Sequence, residues 1–251
     1  MIRIILHGCN GVMGQNVARS AADDPHVGIV AGIDIVTDRK NDFPVYPSLS
    51  ECLEEADVVI DFAAAPAMDG LIAALKERKL PVVMCTTGLS EAQLSDVKEL
   101  SKHTAVLRSA NMSLGINTLT KVLKEITPVL AAAGFDMEIM EMHHNRKVDA
   151  PSGTALALAE AMNESVGSSY EFKLDRSAER KRRGKNEIGI QALRGGTVPG
   201  IHEVYFAGKD EVIKLSHTCY SRSVFAEGAI AAAKFLVGKP AGMYDMQDVI
   251  G

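Results

Sequence analysis

The sequence predicts an α/β protein in two parts: a parallel sheet flanked by helices, and a smaller α+β domain with a mixed or antiparallel sheet. Three observations predict it. From Ile2 to about Leu107, short apolar runs alternate with segments of helical period, the rhythm of βα units. A glycine-rich turn, Gly8-Cys-Asn-Gly11-Val-Met-Gly14, joins the first run to the first helix. After about Ser113 the rhythm gives way to a long helix and then to alternating runs separated by turns, as in a sheet with one covered face.

Composition sets the outer bounds. The chain has 251 residues, room for two domains, and 47% of them are apolar. Trp is absent, so Ala, Val, Ile, Leu and Met must fill the interior. A net charge of −5 opposes general affinity for nucleic acid or an anionic membrane. Cys9, Cys52, Cys85 and Cys219 form no CxxC and no Cys/His metal spacing, so no metal site is expected and the thiols read as reduced ones of a cytoplasmic protein. No apolar run reaches about 18 residues, so no membrane helix is expected. The first residues read as a strand without a signal-peptide pattern.

Ile2 to Leu6 is a short strand, followed by the glycine turn and a helix through about Ala22. Glycine there lets the backbone approach a pyrophosphate, whose charge meets the helix N-terminus. The spacing is GxxGxxG, a variant of the commoner GxGxxG. A second strand, Val27 to Ile33, ends at Asp34, about twenty residues past the last glycine, where an acidic residue hydrogen-bonds an adenosine ribose. The first domain is therefore Rossmann-like. A carboxylate at Asp34 accepts from ribose hydroxyls and repels a 2′-phosphate, while Arg39 and Lys40 can neutralise one. NADH is expected to be accepted, and NADPH is left open.

The following units keep the rhythm. A short helix ends over Glu51 to Ala56; Asp57 to Phe62 is a buried strand; Met68 to Lys79 is a helix. Pro81 to Cys85 is a strand ending in Thr86-Thr87-Gly88, and Ser90 caps a helix through Lys102. Thr104 to Leu107 is a further strand ending in Arg108-Ser109-Ala110-Asn111. In a parallel sheet the loops at Phe62, Thr86-Thr87 and Ala110-Asn111-Met112 share the carboxyl edge, where ligands bind. Their small polar residues suit a nicotinamide ribose and carboxamide, and each alone is equally ordinary turn chemistry.

The second part opens with a helix from Ile116 to Ala133 containing Pro128, which should kink or divide it. Phe135, Met137 and Ile139 alternate with Asp136 and Glu138 as a strand. Arg176 to Lys185 is strongly basic and reads as a mobile, solvated loop or as an electropositive lid over an anionic substrate. Ile188 to Leu193, His202 to Phe206 and Glu211 to Leu215 read as strands, with a turn at Gly208-Lys-Asp. The final helix, Val224 to Leu236, is apolar nearly all round and should be buried, returning to the first domain. The expected division is residues 1–113 with 223–251 for dinucleotide binding, and 114–222 for substrate binding and oligomerisation, with the catalytic loop facing a cofactor cleft.

The chain is organised around Glu141-Met-His143-His144-Asn-Arg-Lys147-Val-Asp149-Ala-Pro151-Ser152-Gly153-Thr154-Ala155. This cluster leaves the end of a strand and enters a helix N-terminus. Ser152 can cap that helix, the N–H groups of Gly153, Thr154 and Ala155 point outward, and the dipole adds positive potential. His143, His144 and Lys147 supply protons and positive charge beside it. Such a place suits an anionic ligand.

The run Glu-x-His-His-x-x-Lys-x-Asp-x-Pro-Ser-Gly-Thr-Ala resembles the signature of the dihydrodipicolinate (4-hydroxy-tetrahydrodipicolinate) reductase family of the diaminopimelate route to lysine. The resemblance spans essentially the whole chain, through Gly8-x-x-Gly11-x-Met13-Gly14, Asp61-Phe62, Thr86-Thr87-Gly88, Ser109 to Ser113, Ile188-Gly189 with Arg194, and Phe225-Ala226-x-Gly228-Ala229. It implies NAD(P)H-dependent reduction of 4-hydroxy-tetrahydrodipicolinate, a small-molecule dicarboxylate substrate, to tetrahydrodipicolinate. By resemblance, His143 is the catalytic acid/base and Lys147 the proton donor, while His144, Gly153 and Thr154 bind substrate next to Ser152. Cofactor contacts would come from Gly8, Cys9, Asn10, Gly11, Val12, Met13, Asp34, Cys85, Thr86, Thr87, Ser109, Ala110, Asn111 and Met112. The resemblance also implies a homotetramer built through the second domain and a hinge that closes on both ligands. Three positions depart from the common pattern: Ile35 where some members carry Arg, Ala63 where Thr or Ser is frequent, and Met112 where an aromatic is common near the nicotinamide. Two other readings stand beside this one. One is another two-domain NAD(P)-dependent dehydrogenase, which would not need the Ser-Gly-Thr carboxylate grip; the other is a nicotinamide-nucleotide-binding sensor without turnover.

Overall fold

The computed structural model describes residues 1–251. In chain order the elements are β1 (Ile2–His7), α1 (Val12–Ala22), β2 (Val27–Ile33), β3 (Val45–Tyr46), β4 (Val58–Asp61), α2 (Met68–Arg78), β5 (Val82–Met84), α3 (Glu91–Leu100) and β6 (Ala105–Arg108). They continue with α4 (Leu114–Ala132), β7 (Asp136–His143), α5 (Gly153–Ser165), β8 (Glu171–Lys173), β9 (Glu187–Arg194), β10 (Gly200–Ala207), β11 (Val212–Cys219), α6 (Ser223–Leu236), β12 (Gly242–Tyr244) and α7 (Met246–Ile250). The chain divides into two units, Met1–Leu114 with Arg222–Gly251, and Gly115–Ser221.

The first unit holds a seven-stranded sheet in the order β12-β6-β5-β4-β1-β2-β3, parallel at every pairing. Its strands are apolar on both faces because both are covered. Ile4, Leu6, Val58, Ile60, Val83 and Leu107 pack with Val17 of α1 and Ala229, Ala233 and Leu236 of α6. Ile5, Val59, Val82, Met84 and Val106 pack with Leu71 and Leu75 of α2 and Val97 and Leu100 of α3. Strand order reverses at β1, with β2 on one side and β4 on the other, so the loops after β1 and β4 open on the point where such sheets bind ligands. Ser90 caps α3 by accepting the Gln93 amide, and Gln93 reciprocates, forming a capping box.

The second unit holds a five-stranded mixed sheet, β11-β10-β7-β9-β8, in which β10 runs antiparallel to β7 and β11 while β9 runs parallel to β7 and β8. One face is packed. Met137, Ile139, Ile188, Ile190, Val204 and Phe206 meet Leu119 and Leu123 of α4 and Leu158, Ala159 and Met162 of α5. Fully burying a side chain such as Met137 or Phe206 contributes about 1.5–3 kcal/mol.

Several expectations are corrected. No helix forms over Glu51 to Ala56. The Arg78 guanidinium instead donates to the carbonyls of Leu49, Cys52 and Glu54, so those acceptors serve a side chain rather than a helical ladder. Pro128 does not divide α4, which runs continuously for 19 residues. The proline removes the N–H that would reach the Lys124 carbonyl, and Lys124 is exposed, where water can satisfy that oxygen. The basic stretch is not a wholly solvated loop: Arg176 forks onto Glu138 at 2.8 and 3.1 Å, and Arg183 reaches Glu138 at 3.0 Å and Asp136 at 2.8 Å. These outward-facing carboxylates of β7 tie the stretch to the sheet. The short strands β3, β8 and β12 are too brief to show a period, and each is held by its neighbour in the sheet.

Candidate active site

In the first unit the glycine turn is dictated by space. Gly8 has φ +76°, and a Cβ there would lie 2.7 Å from the Phe62 carbonyl oxygen. A Cβ on Gly14 would lie 2.2 Å from the Gly8 carbonyl oxygen. Both positions therefore exclude every other residue, and the turn packs directly against the loop after β4. The middle glycine, Gly11, is the N-cap of α1 with ordinary φ −71°; it brings no side-chain cap, and the first turn carries no acidic residue. The α1 N-terminus is thus shaped and charged to receive phosphate. Val12 is exposed and Met13 half-buried behind it, while Cys9 is buried, its thiol pushed up to about 11 chiefly by burial and then by Asp34.

Asp34 stands at the end of β2 and accepts the Asn10 amide at 2.9 Å and the Val36 amide at 3.1 Å. Arg39 donates to the Asn10 carbonyl and to Gln15, both at 3.0 Å. A carboxylate and a guanidinium therefore both brace the glycine turn. Cys85, half-buried, donates its amide to the Asp61 carbonyl at 2.9 Å, and the buried Thr86 hydroxyl donates to the Ala63 carbonyl at 3.0 Å, while Thr87 is exposed. These bonds gather the loops after β1, β2, β4 and β5. Ser109, Ala110 and Asn111 follow β6 on the same edge, and Asn111 accepts the Ser113 amide at 2.8 Å. The Met112 side chain does not stand open to a nicotinamide, as its place after β6 led one to expect: it is 5% exposed and belongs to the core around α6. Gly228 makes that fit possible, since a Cβ there would overlap the Met112 carbonyl oxygen at 1.7 Å.

In the second unit the inward face of β7 reads Met137, Ile139, Glu141, His143, all buried. Alternation thus carries a carboxylate and an imidazole into the sheet's covered face. Glu141 is 0% exposed and meets four donors: Arg194 Nη1 and Nη2 at 2.8 Å each, His143 Nδ1 at 2.6 Å and the Ser152 amide at 2.9 Å. Burial raises its pKa, but the bonds from Arg194, His143 and Ser152 outweigh that and hold it below the usual Glu range. His143 stands opposite Arg194 in the β7–β9 register, with its ring edge-on to His202 at 5.2 Å between centroids. His202 is held neutral, its pKa lowered to about 4, mainly by burial and next by the charge on His143.

The loop that follows is docked on the loop after β9. Gly195 donates to the His143 carbonyl at 2.9 Å, His144 to Val198 at 2.8 Å, and Lys147 to the His144 carbonyl at 3.1 Å. The chain then reaches Ser152, the N-cap of α5, whose buried hydroxyl accepts the Ala155 amide at 3.2 Å and meets His202 Nε2 at 3.1 Å. That hydroxyl is committed within the protein, whereas Gly153 is exposed and faces open space. The Lys147 ammonium bonds the Asp149 carboxylate at 2.7 Å, and this bond is the chief cause that holds Asp149 below the usual Asp range. A carboxylate thus already sits on the Lys147 ammonium, on the segment that leads into α5.

Sequence reasoning missed the parts played by Glu141, Arg194 and His202. The signal was present for two of them: Glu141 shares the parity of Met137 and Ile139, and His202 that of Val204 and Phe206. Asp149 offered no such signal, because its placement depends on the loop's path.

The model of the N-terminus of dihydrodipicolinate reductase matches residues 2–112, and that of its C-terminus matches residues 115–250. The 4-hydroxy-tetrahydrodipicolinate reductase of Caldanaerobacter subterraneus subsp. tengcongensis is 52% identical over 254 residues, spanning 100% of this chain and 98% of its own. That of Clostridium novyi is 47% identical over 250 residues, with the same two coverages. Among solved structures, a dipicolinate-bound dihydrodipicolinate reductase from Paenisporosarcina sp. TG-14 superposes with a TM-score of 0.81 at 24% identity over the full length of both chains. A myo-inositol 2-dehydrogenase from Lactobacillus plantarum shares the fold at TM-score 0.63 and 11% identity, over 99% of this chain and 93% of that one. The chain belongs to the dihydrodipicolinate reductase family, and is thereby an oxidoreductase that uses NADH or NADPH to reduce 4-hydroxy-tetrahydrodipicolinate in lysine biosynthesis.

Proposed function

We propose that His143 and Lys147 carry the proton chemistry of this reduction, and that the turn from Ser152 to Thr154 with His144 holds a substrate carboxylate. The observation that carries the reading is the Lys147 ammonium held on a carboxylate, that of Asp149, at 2.7 Å, on the segment that leads into the capped N-terminus of α5. A substrate carboxylate would meet the same ammonium. Ser152 serves from inside, capping α5 through the Ala155 amide beside the exposed Gly153. The relative from Paenisporosarcina binds dipicolinate, a flat ring with two carboxylates, which is the shape this turn would accept.

The cofactor would lie on the first unit, with its pyrophosphate on Gly8, Cys9, Asn10, Gly11, Val12 and Met13 and its adenosine ribose at Asp34. Its nicotinamide half would meet Cys85, Thr86, Thr87, Ser109, Ala110, Asn111 and the backbone of Met112. The Gly8 and Gly14 cradle, which no side chain can enter, supports this placement. When bound, the reduced nicotinamide supplies a hydride to the substrate's unsaturated ring. The 4-hydroxyl leaves as water, and the ring that takes the hydride needs one proton; Lys147 gives it, with His143 as the acid/base group of the site. His143→Ala and Lys147→Ala should each lower kcat by about two to four orders of magnitude in a steady-state NADH oxidation assay. A loss below tenfold in both would remove these assignments.

The residues 1–114 and 222–251 would thus be the dinucleotide-binding part and 115–221 the substrate-binding and oligomerisation part. A homotetramer is the assembly we favour. The outward face of the five-stranded sheet carries the partly exposed apolar side chains Met140, Met142, Leu193 and Ile201, opposite in parity to the buried ones. No helix is long and apolar enough to cross a membrane, and all four cysteines are unpaired, which supports a cytoplasmic setting.

A further inference from the structure

We propose that Glu141 is the positioning residue of this site: its side chain, clamped by Arg194, sets the tautomer and orientation of His143 and locks the Ser152 turn to the same strand end. This rests on His143 being the acid/base group.

The need for an explanation is plain from the packing. On the covered face of β7 Glu141 follows Met137 and Ile139 and precedes His143, and an apolar side chain of similar size would pack there without a charge. The ion pair with Arg194 satisfies the buried carboxylate, yet both remaining bonds go to the site itself. Oε2 takes His143 Nδ1 at 2.6 Å, and Oε1 takes the Ser152 amide at 2.9 Å. Arg194 extends the set, since its Nη2 also donates to the Asp149 carbonyl at 2.6 Å. One carboxylate and one guanidinium therefore join the strand end, the Lys147–Asp149 segment and the N-cap of α5.

An ionised carboxylate only accepts hydrogen bonds, so the shared proton sits on Nδ1 of His143. Nε2 is then the nitrogen left to give or take a proton. Gly200 keeps the ring in place from the other side: a Cβ there would lie 3.1 Å from Nε2. The charged and titratable groups around this imidazole are Glu141 on its own strand, Arg194 on β9 and His202 on β10; His202 in turn feels His217 of β11 and Lys147 of the loop.

The test compares Glu141→Gln, Glu141→Asp and His143→Ala in the full-length protein. Glu141→Gln should lower kcat by about 10–100-fold, as loss of a residue that orients a working imidazole does. It should also change the pH dependence of kcat/KM, because the carboxylate that accepts from Nδ1 is gone. Glu141→Asp keeps a carboxylate acceptor, so the parent pH profile should persist and part of the rate should return. Imidazole ¹⁵N shifts of the unsubstituted protein should show His143 protonated at Nδ1, a measurement that no folding defect of a variant can affect. An Nε2–H tautomer there overturns the proposal. So does a Glu141→Gln protein that melts lower but keeps the parent kcat and pH profile. If His143→Ala alone loses less than tenfold, the acid/base reading fails and takes this proposal with it; if His143→Ala loses the rate and Glu141→Gln does not, only the role of Glu141 falls.

Discussion

His202 shows how much one buried imidazole can do to stability. Its folded-state pKa is about 4, against about 6.5 when unfolded, chiefly because burial disfavours the charged ring. The unfolded chain therefore takes up a proton at pH values where the folded one does not. Its contribution to stability is complete above pH about 6.5, and it is lost as pH falls towards 4, on the order of 3 kcal/mol in all. Urea melts from pH 7.5 to 4.5 should show this decline, and His202→Gln should flatten it. Glu141 acts in a lower window: its depressed pKa adds stability that disappears only as pH falls below the ordinary Glu range. At the cofactor end, Asp34→Ala should weaken NADH more than NADPH, since a carboxylate facing the ribose accepts from hydroxyls and repels phosphate. Equal changes in the two Kd values would count against that contact.

At the scale of elements, the glycine turn and α3 make contrasting predictions. Gly14→Ala forces a Cβ to within 2.2 Å of the Gly8 carbonyl oxygen, so α1 must shift against the loop after β1. Overpacking of this kind costs about 1–3 kcal/mol, and the distorted α1 N-terminus should raise Kd for both cofactors alike. Titration of nucleotide by calorimetry would reveal it; unchanged affinity would show that this turn does not shape the phosphate site. Ser90→Ala breaks a capping box in the first unit that includes none of the site residues and should cost about 1 kcal/mol in denaturant melts, with kcat unaltered.

For the molecule as a whole, the assembly proposed through the second unit is the property to test. The sheet of the second unit covers one face with α4 and α5 and leaves apolar side chains on the other, Leu193 among them at 41% exposure. Sedimentation should find a tetramer. Leu193→Asp, which places a charge among Met140, Met142 and Ile201, should shift it towards smaller species; a protein that sediments as a monomer in both forms would refute assembly through this face.

Much of this was legible in the residues alone. The βα rhythm up to Leu107, the glycine turn, Asp34 at the end of β2 and the Ser152 cap of α5 are local patterns, set by backbone geometry over a few residues, and a linear reading reaches them. The histidine–lysine cluster was legible in the same way, as a loop between a strand end and a helix N-terminus. What the tertiary structure decided lies in pairings far apart in the chain. Only the β7–β9 register sets Arg194 opposite His143 and onto Glu141, 53 residues away, and only the β7–β10 pairing brings His202 to Ser152. The segment from Glu51 to Ala56 went the same way, its helical pattern overruled by Arg78, which claims its carbonyls from another element. Local sequence sets which groups are available and which way each strand faces. Whether a buried charge finds its partner depends on which strands become neighbours, and that is a property of the folded chain as a whole.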